Sequence, residues 1–88
     1  MVSKIVKYKN PMGLQVKQAG DLCKVAMEYK CSVSFAYDGG IANAKSMLSV
    51  LGSGVRAGDE LNIVCDGPDE EDALERLTEF LEKNEGIL

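Results

Sequence analysis

The chain has 88 residues, with 14 carboxylates against 10 lysines and arginines, a formal charge of -4 and no histidine. That length accommodates one two-layer core and is too short for a catalytic domain built around a deep cleft. A negative balance gives no general attraction to a nucleic-acid backbone or an anionic bilayer, so direct nucleic-acid binding is not expected.

No apolar run approaches the ~20 residues that span a bilayer, and the amino terminus lacks a signal peptide's long apolar segment; the expected setting is the cytoplasm, away from the membrane. Cys23, Cys31 and Cys65 form no CxxC pair, and three thiols cannot all pair within the chain. Cys23 and Cys65 fall on apolar periodicities and read as small buried hydrophobes. Without imidazoles, and with thiols scattered, the expectation is no metal site and no cofactor.

In chain order, Val2, Val6 and Tyr8 mark one face of a short strand, with Ser3 and Lys7 opposite and Ile5 as an exception. Asn10-Pro11-Met12-Gly13 is loop. From about Val16 to Tyr29, Ala19, Leu22, Cys23 and Ala26 recur at helical spacing, with Lys17, Asp21, Lys24 and Glu28 toward water. Gly20 inside that helix costs ~1 kcal/mol relative to alanine unless close packing compensates.

Val33, Phe35 and Tyr37 then alternate with Ser34 and Ala36, a strand with one buried face. Asp38-Gly39 signals a hairpin because both residues tolerate positive φ, and Gly40–Asn43 is the returning strand. Ser46 precedes Met47, Leu48, Val50 and Leu51, enough for a short helix before Gly52 and Gly54 end it. After a turn at Arg56–Asp59, Leu61, Ile63 and Cys65 face one way, with Asn62 and Val64 opposite.

Asp66–Glu85 contains nine acids against Arg76 and Lys83. Within it, Asp69 can cap a helix whose first turn holds Glu70, Glu71 and Asp72. Ala73, Leu74, Leu77, Phe80 and Leu81 form its apolar stripe. The order is β-α-β-β-α-β-α, an α+β domain over residues 1–88 with helices on one face of the sheet.

Asn10-Pro11 with Gly13-Leu14, Asp38-Gly39, Asn43-Ala44-Lys45-Ser46, Gly58-Asp59-Glu60 and Asp66-Gly67 before Asp69–Leu74 occur in an order that resembles a known family. It is HPr, the histidine-containing phosphocarrier of the bacterial sugar phosphotransferase system. The resemblance implies an open-faced β-sandwich with an antiparallel sheet of order 1-4-2-3. The family's active segment reads Gly-Leu-His-Ala-Arg-Pro-Ala, whereas this chain has Gly13-Leu14-Gln15-Val16-Lys17-Gln18-Ala19. Gln15 stands at the phosphohistidine position, and an amide is no nucleophile at neutral pH. Lys17 keeps the charge of the family's arginine without its planar donor fork.

The pattern is most similar to the histidine-less branch of the family, the catabolite-repression HPr-like (Crh) proteins. That resemblance implies phosphorylation of Ser46 by the bifunctional HPr kinase/phosphorylase, and corepression with a LacI-type catabolite control regulator. Lys45 then stands beside the phosphate, while Met47, Leu48 and Leu51 form an apolar docking surface and Gln15 and Lys17 a second contact edge. On residues alone, Ser46 is a helix cap, and Leu48 and Leu51 are divided between packing and exposure. Two other functions stay open: a scaffold module without serine regulation, and a phosphocarrier with an atypical acceptor such as Cys23. The expected assembly is a monomer with a minor homodimer that exchanges the first strand.

Overall fold

A computed structural model describes residues 1–11 and 13–83. Met12 of the first loop and Glu85 of the acidic stretch lie outside the described residues. The elements are β1 (Val2–Lys7), α1 (Val16–Met27), β2 (Ser32–Tyr37), β3 (Gly40–Asn43), α2 (Met47–Ser53), β4 (Glu60–Asp66) and α3 (Glu70–Lys83). All strand pairs are antiparallel, in the order β1-β4-β2-β3.

Register explains which side chains meet the helices. Val6 pairs with Leu61, and Phe35 with Ile63; all four are buried on the helix-covered face. Leu22, Val50, Leu77 and Leu81 close the core from the helices. Each large side chain so buried contributes about 1.5–3 kcal/mol relative to exposure. Ile5, Asn62, Ala36 and Ile41 form a row across the opposite face, where Ile5 and Ile41 are exposed. The irregularity of Ile5 in the strand pattern is thus its place on the open face.

Two local expectations change, and the condition set for Gly20 is decided. Tyr37 pairs with Gly40, so Asp38-Gly39 is the two-residue loop, yet neither residue has positive φ; that conformation falls on Gly40 (φ 151°). Glycine at 39 meets a need for space, since a Cβ there would sit 3.0 Å from the Tyr37 ring. At Gly20, a Cβ would meet Met47 at 3.7 Å, an ordinary contact, so tight packing does not account for that glycine. Gly52 lies inside α2, which ends at Gly54 in the left-handed region (φ 65°).

The start of α3 is fastened by tertiary contacts. The Asp69 carbonyl accepts the Ala73 N–H, but its carboxylate accepts the backbone N–H groups of Lys30 (2.8 Å) and Cys31 (2.9 Å). The carboxylate expected to cap its own helix instead joins α3 to the turn before β2. The backbones run close enough here that a Cβ on Gly67 (φ 153°) would lie 2.6 Å from the Cys31 Cα. Glu70 Oε1 accepts the Gly67 N–H at 3.1 Å, closing the turn into the helix.

Candidate functional site

Two helix starts carry the residues singled out by sequence. At α1, Gln15 takes the N-cap position with extended backbone (φ -91°, ψ -176°), and its side chain makes no capping hydrogen bond. The preceding loop is held from below. The Leu14 N–H donates to the Val55 carbonyl at 3.1 Å, and the Tyr8 hydroxyl donates to the Gly13 carbonyl at 3.2 Å.

Gln15, Val16 and Lys17 are exposed, and the first turn contains no acid. Lys17 directs its ammonium to Asp21 one turn along, at 3.0 Å. Gln18 is buried, with no partner for Oε1 among the described residues. The turn therefore presents free amides, a carboxamide and a cation, which attract an anion but offer no phosphoryl acceptor.

At α2, Ser46 is the N-cap (φ -112°, ψ 114°), and its Oγ accepts the Ser49 N–H at 3.2 Å. Ser49 Oγ in turn accepts the Asn43 N–H at 2.9 Å, while Asn43 Oδ1 accepts the Lys45 N–H at 2.9 Å. The half-buried serine is thus held in a short hydrogen-bonded frame. Asn43 enters the sequence reading only within the Asn43–Ser46 motif and as the end of the returning strand, and Ser49 not at all; Ser49 stands at the third position after a serine cap, the one local signal of its role.

Lys45 lies beside Ser46 in sequence, but its Nζ donates to the Tyr29 carbonyl just beyond α1 at 2.7 Å. Val50 is fully buried and anchors α2, Met47 is half-buried, and Leu48 (84% exposed) and Leu51 (36%) face outward. A seven-residue helix anchored by Val50, with Met47 partly packed beside it, leaves Leu48 and Leu51 toward solvent.

Three contacts orient the helices. Lys45 meets Tyr29 beyond the end of α1, Met47 lies over Gly20, and Val55 beyond α2 meets Leu14 before α1. α2 therefore runs back along α1. Ser46 with Lys45 and Gln15 with Lys17 lie toward opposite ends of this helix pair, with α2 and its exposed leucines between them.

The cysteines fit poorly as acceptors. Burial pushes the thiols of Cys23 and Cys31 up, and burial plus the neighbouring Cys31 pushes Cys65 up to about 11. All three stay protonated at neutral pH, the weakly nucleophilic form. Among the described residues no cluster of metal-binding side chains occurs, and no helix is long and apolar enough to cross a membrane.

A four-stranded open-faced sheet, a loop running into α1 and a serine-capped second helix define a phosphocarrier-type fold. The family model described as "PTS HPr component phosphorylation site" matches residues 2–83, and the chain belongs to this HPr family of the phosphotransferase system. Phosphocarrier protein HPr of Mycoplasma genitalium is 34% identical over 80 residues, covering 90% of this chain and 91% of its own. HPr-like protein Crh of Halalkalibacterium halodurans is 31% identical, covering 94% and 99%.

Among solved structures, HPr-C-His from Thermoanaerobacter tengcongensis superposes with a TM-score of 0.92 at 26% identity, over 100% of this chain and 99% of that one. Crh of Bacillus subtilis, solved as a dimer with a swapping domain, gives 0.76 at 30% identity over 94% and 95%. The chain is similar to carriers and to Crh proteins alike.

Proposed function

We propose that this chain is a cytoplasmic, single-domain, non-carrier HPr-like regulator, with Ser46 as its switch. The observation that carries this reading is the contrast between the helix starts: Gln15 supplies no acceptor in a chain without histidine, whereas Ser46 presents a hydroxyl beside an exposed leucine. HPr kinase/phosphorylase adds the phosphate. The phosphoprotein then acts as corepressor by binding a LacI-type catabolite control regulator, and the chain itself catalyses nothing. Relatives named Crh at 30–31% identity support this assignment.

Phosphate at Ser46 brings roughly 1.5–2 negative charges to the free amides of α2, so the helix tolerates the change. It also competes with the Tyr29 carbonyl for the Lys45 ammonium, now 2.7 Å from that oxygen. Met47, Leu48 and Leu51 then supply an adaptable apolar contact, and Gln15 and Lys17 a polar one farther along the same helix pair.

Intact mass provides the test. Kinase and ATP should add one phosphate, lost in Ser46→Ala, while enzyme I with phosphoenolpyruvate should add none. A stoichiometric phosphoryl group from enzyme I would overturn the non-carrier reading and restore the atypical-acceptor alternative, which the raised cysteine pKa values disfavour. The scaffold alternative rests on the Ser46–Ser49 capping bond, which accounts for a serine here without modification; it takes over if the kinase leaves Ser46 untouched.

For assembly, we infer a monomer at low concentration with a minor dimer exchanging β1; a Crh relative described as a dimer with a swapping domain supports an exchange of this kind. Light scattering across a dilution series checks this, and a tight dimer at the lowest concentration would contradict it.

A further inference from the structure

The other side of the molecule carries a second feature, away from Ser46 and Gln15. Between β1 and α3 runs a groove of about 600 Å³ whose lining includes the half-buried Val2 and Leu74. Glu71, Glu75, Glu79 and Glu82 lie along it at spacings of four, four and three residues, a single ridge of α3. Lys4 and Lys83 are its cations, and Lys83 already faces Glu79 at 3.8 Å. Among the described residues no ion pair reaches Glu71, Glu75 or Glu82.

Like charges one helical turn apart destabilise a helix, so this ridge is better suited to a bound cation than to the isolated chain. Thr78, also lining the groove, is only 5% exposed, and its Oγ1 has no hydrogen-bond partner among the described residues. β1 is an edge strand. It pairs with β4, and no backbone bond leaves Val2–Lys7 on its other side among the described residues. Alternate backbone donors and acceptors of that edge are thus available to another strand.

We propose that this groove docks an extended segment of a partner protein, with lysine or arginine at alternate positions, as a fifth strand beside β1. The spacing favours a strand. Glutamates four residues apart on a helix are separated by about 6 Å along its axis, and alternate residues of a strand by about 6.7 Å. Successive basic side chains on one face of the segment therefore meet successive glutamates. The intervening side chains fall on the sheet's open face, where exposed Ile5 is the cross-strand neighbour. An apolar residue suits that position, giving a basic-apolar-basic-apolar-basic pattern held by backbone pairing and charge. Nucleic acid is excluded by the sign of the groove.

The test uses the full chain and a capped heptapeptide of alternating lysine and valine, followed by backbone amide shifts and titration calorimetry. Shifts should concentrate in β1 and α3, and affinity should fall steeply with added salt. Glu71→Gln with Glu75→Gln should weaken binding at least ~10-fold, whereas Glu28→Gln with Asp38→Asn, which removes the same charge elsewhere, should leave it unchanged. A peptide of the same composition with its lysines contiguous should bind at least ~10-fold more weakly. Equal affinity for the two peptides, equal loss in the control variant, shifts spread over the whole acidic surface, or no binding would each overturn the proposal.

Discussion

α1 and α2 begin in opposite ways. Ser46 closes α2 with its own hydroxyl, and Ser49 and Asn43 brace the turn; Gln15 leaves the first amides of α1 without a side-chain partner. The open start contains exposed polar groups and the closed one a half-buried hydroxyl. The α1 start thus offers amides and a cation that attract an anion but no acceptor, and the modifiable hydroxyl stands at the other helix start, on Ser46. In the function proposed above, the chemistry belongs to the serine and the open turn to partner contact.

The largest expected effect comes from a third kind of start, that of α3, which depends on close backbone approach. Gly67→Ala places a Cβ 2.6 Å from the Cys31 Cα at a φ that L residues avoid, and should cost roughly 2–4 kcal/mol in urea unfolding. A change below ~1 kcal/mol would mean that this junction is not the fixed point described.

Next is a matched pair that addresses the comparison itself. Ser46→Ala should lower stability by ~0.5–2 kcal/mol through loss of the cap, whereas Gln15→Ala should be nearly neutral. Gln15→Ser should raise stability by up to ~1 kcal/mol by giving α1 the cap it lacks. Thermal unfolding of the three variants measures the asymmetry. Equal losses for both alanine variants would erase the distinction between an open and a closed start.

The smallest effect is a pH dependence. The backbone N–H of Lys30, then that of Cys31, holds the Asp69 carboxyl below its ordinary value of 3.8. With the folded value depressed, the unfolded chain binds the proton more readily. The contribution of Asp69 is present above pH ~4 and is lost as pH falls through the folded value. Asp69→Asn should therefore flatten the acid limb of stability against pH, and an unchanged limb would show that the two amides do not hold the carboxylate.

Much of this architecture was legible in sequence, for identifiable reasons. Period-two runs at Val33–Tyr37 and Leu61–Cys65, and the helical stripe from Ala73 to Leu81, are local patterns that a two-layer core imposes. The strand order came from family resemblance, since periodicity does not say which strands neighbour. At the site, the loss of an acceptor at Gln15 followed from amide chemistry, and the cap at Ser46 from its place before an apolar run.

What was not legible depends on groups distant in the chain. Tyr29 takes the Lys45 ammonium, Lys30 and Cys31 take the Asp69 carboxylate, and the Tyr37 ring, 3.0 Å from where a Cβ on Gly39 would sit, accompanies a hairpin dihedral different from that expected. Exposure of Leu48 and Leu51 could not be read from so short a helix, because its rotation is set by burial of Val50 and by Met47 packing over Gly20.

The proposed switch is tested most directly by calorimetric titration of a LacI-type repressor from the host with unmodified protein and with protein phosphorylated at Ser46. The account predicts at least ~10-fold tighter binding of the phosphoprotein, a difference of ~1.4 kcal/mol. Equal affinity for the two forms would contradict it and leave Ser46 as the cap of α2.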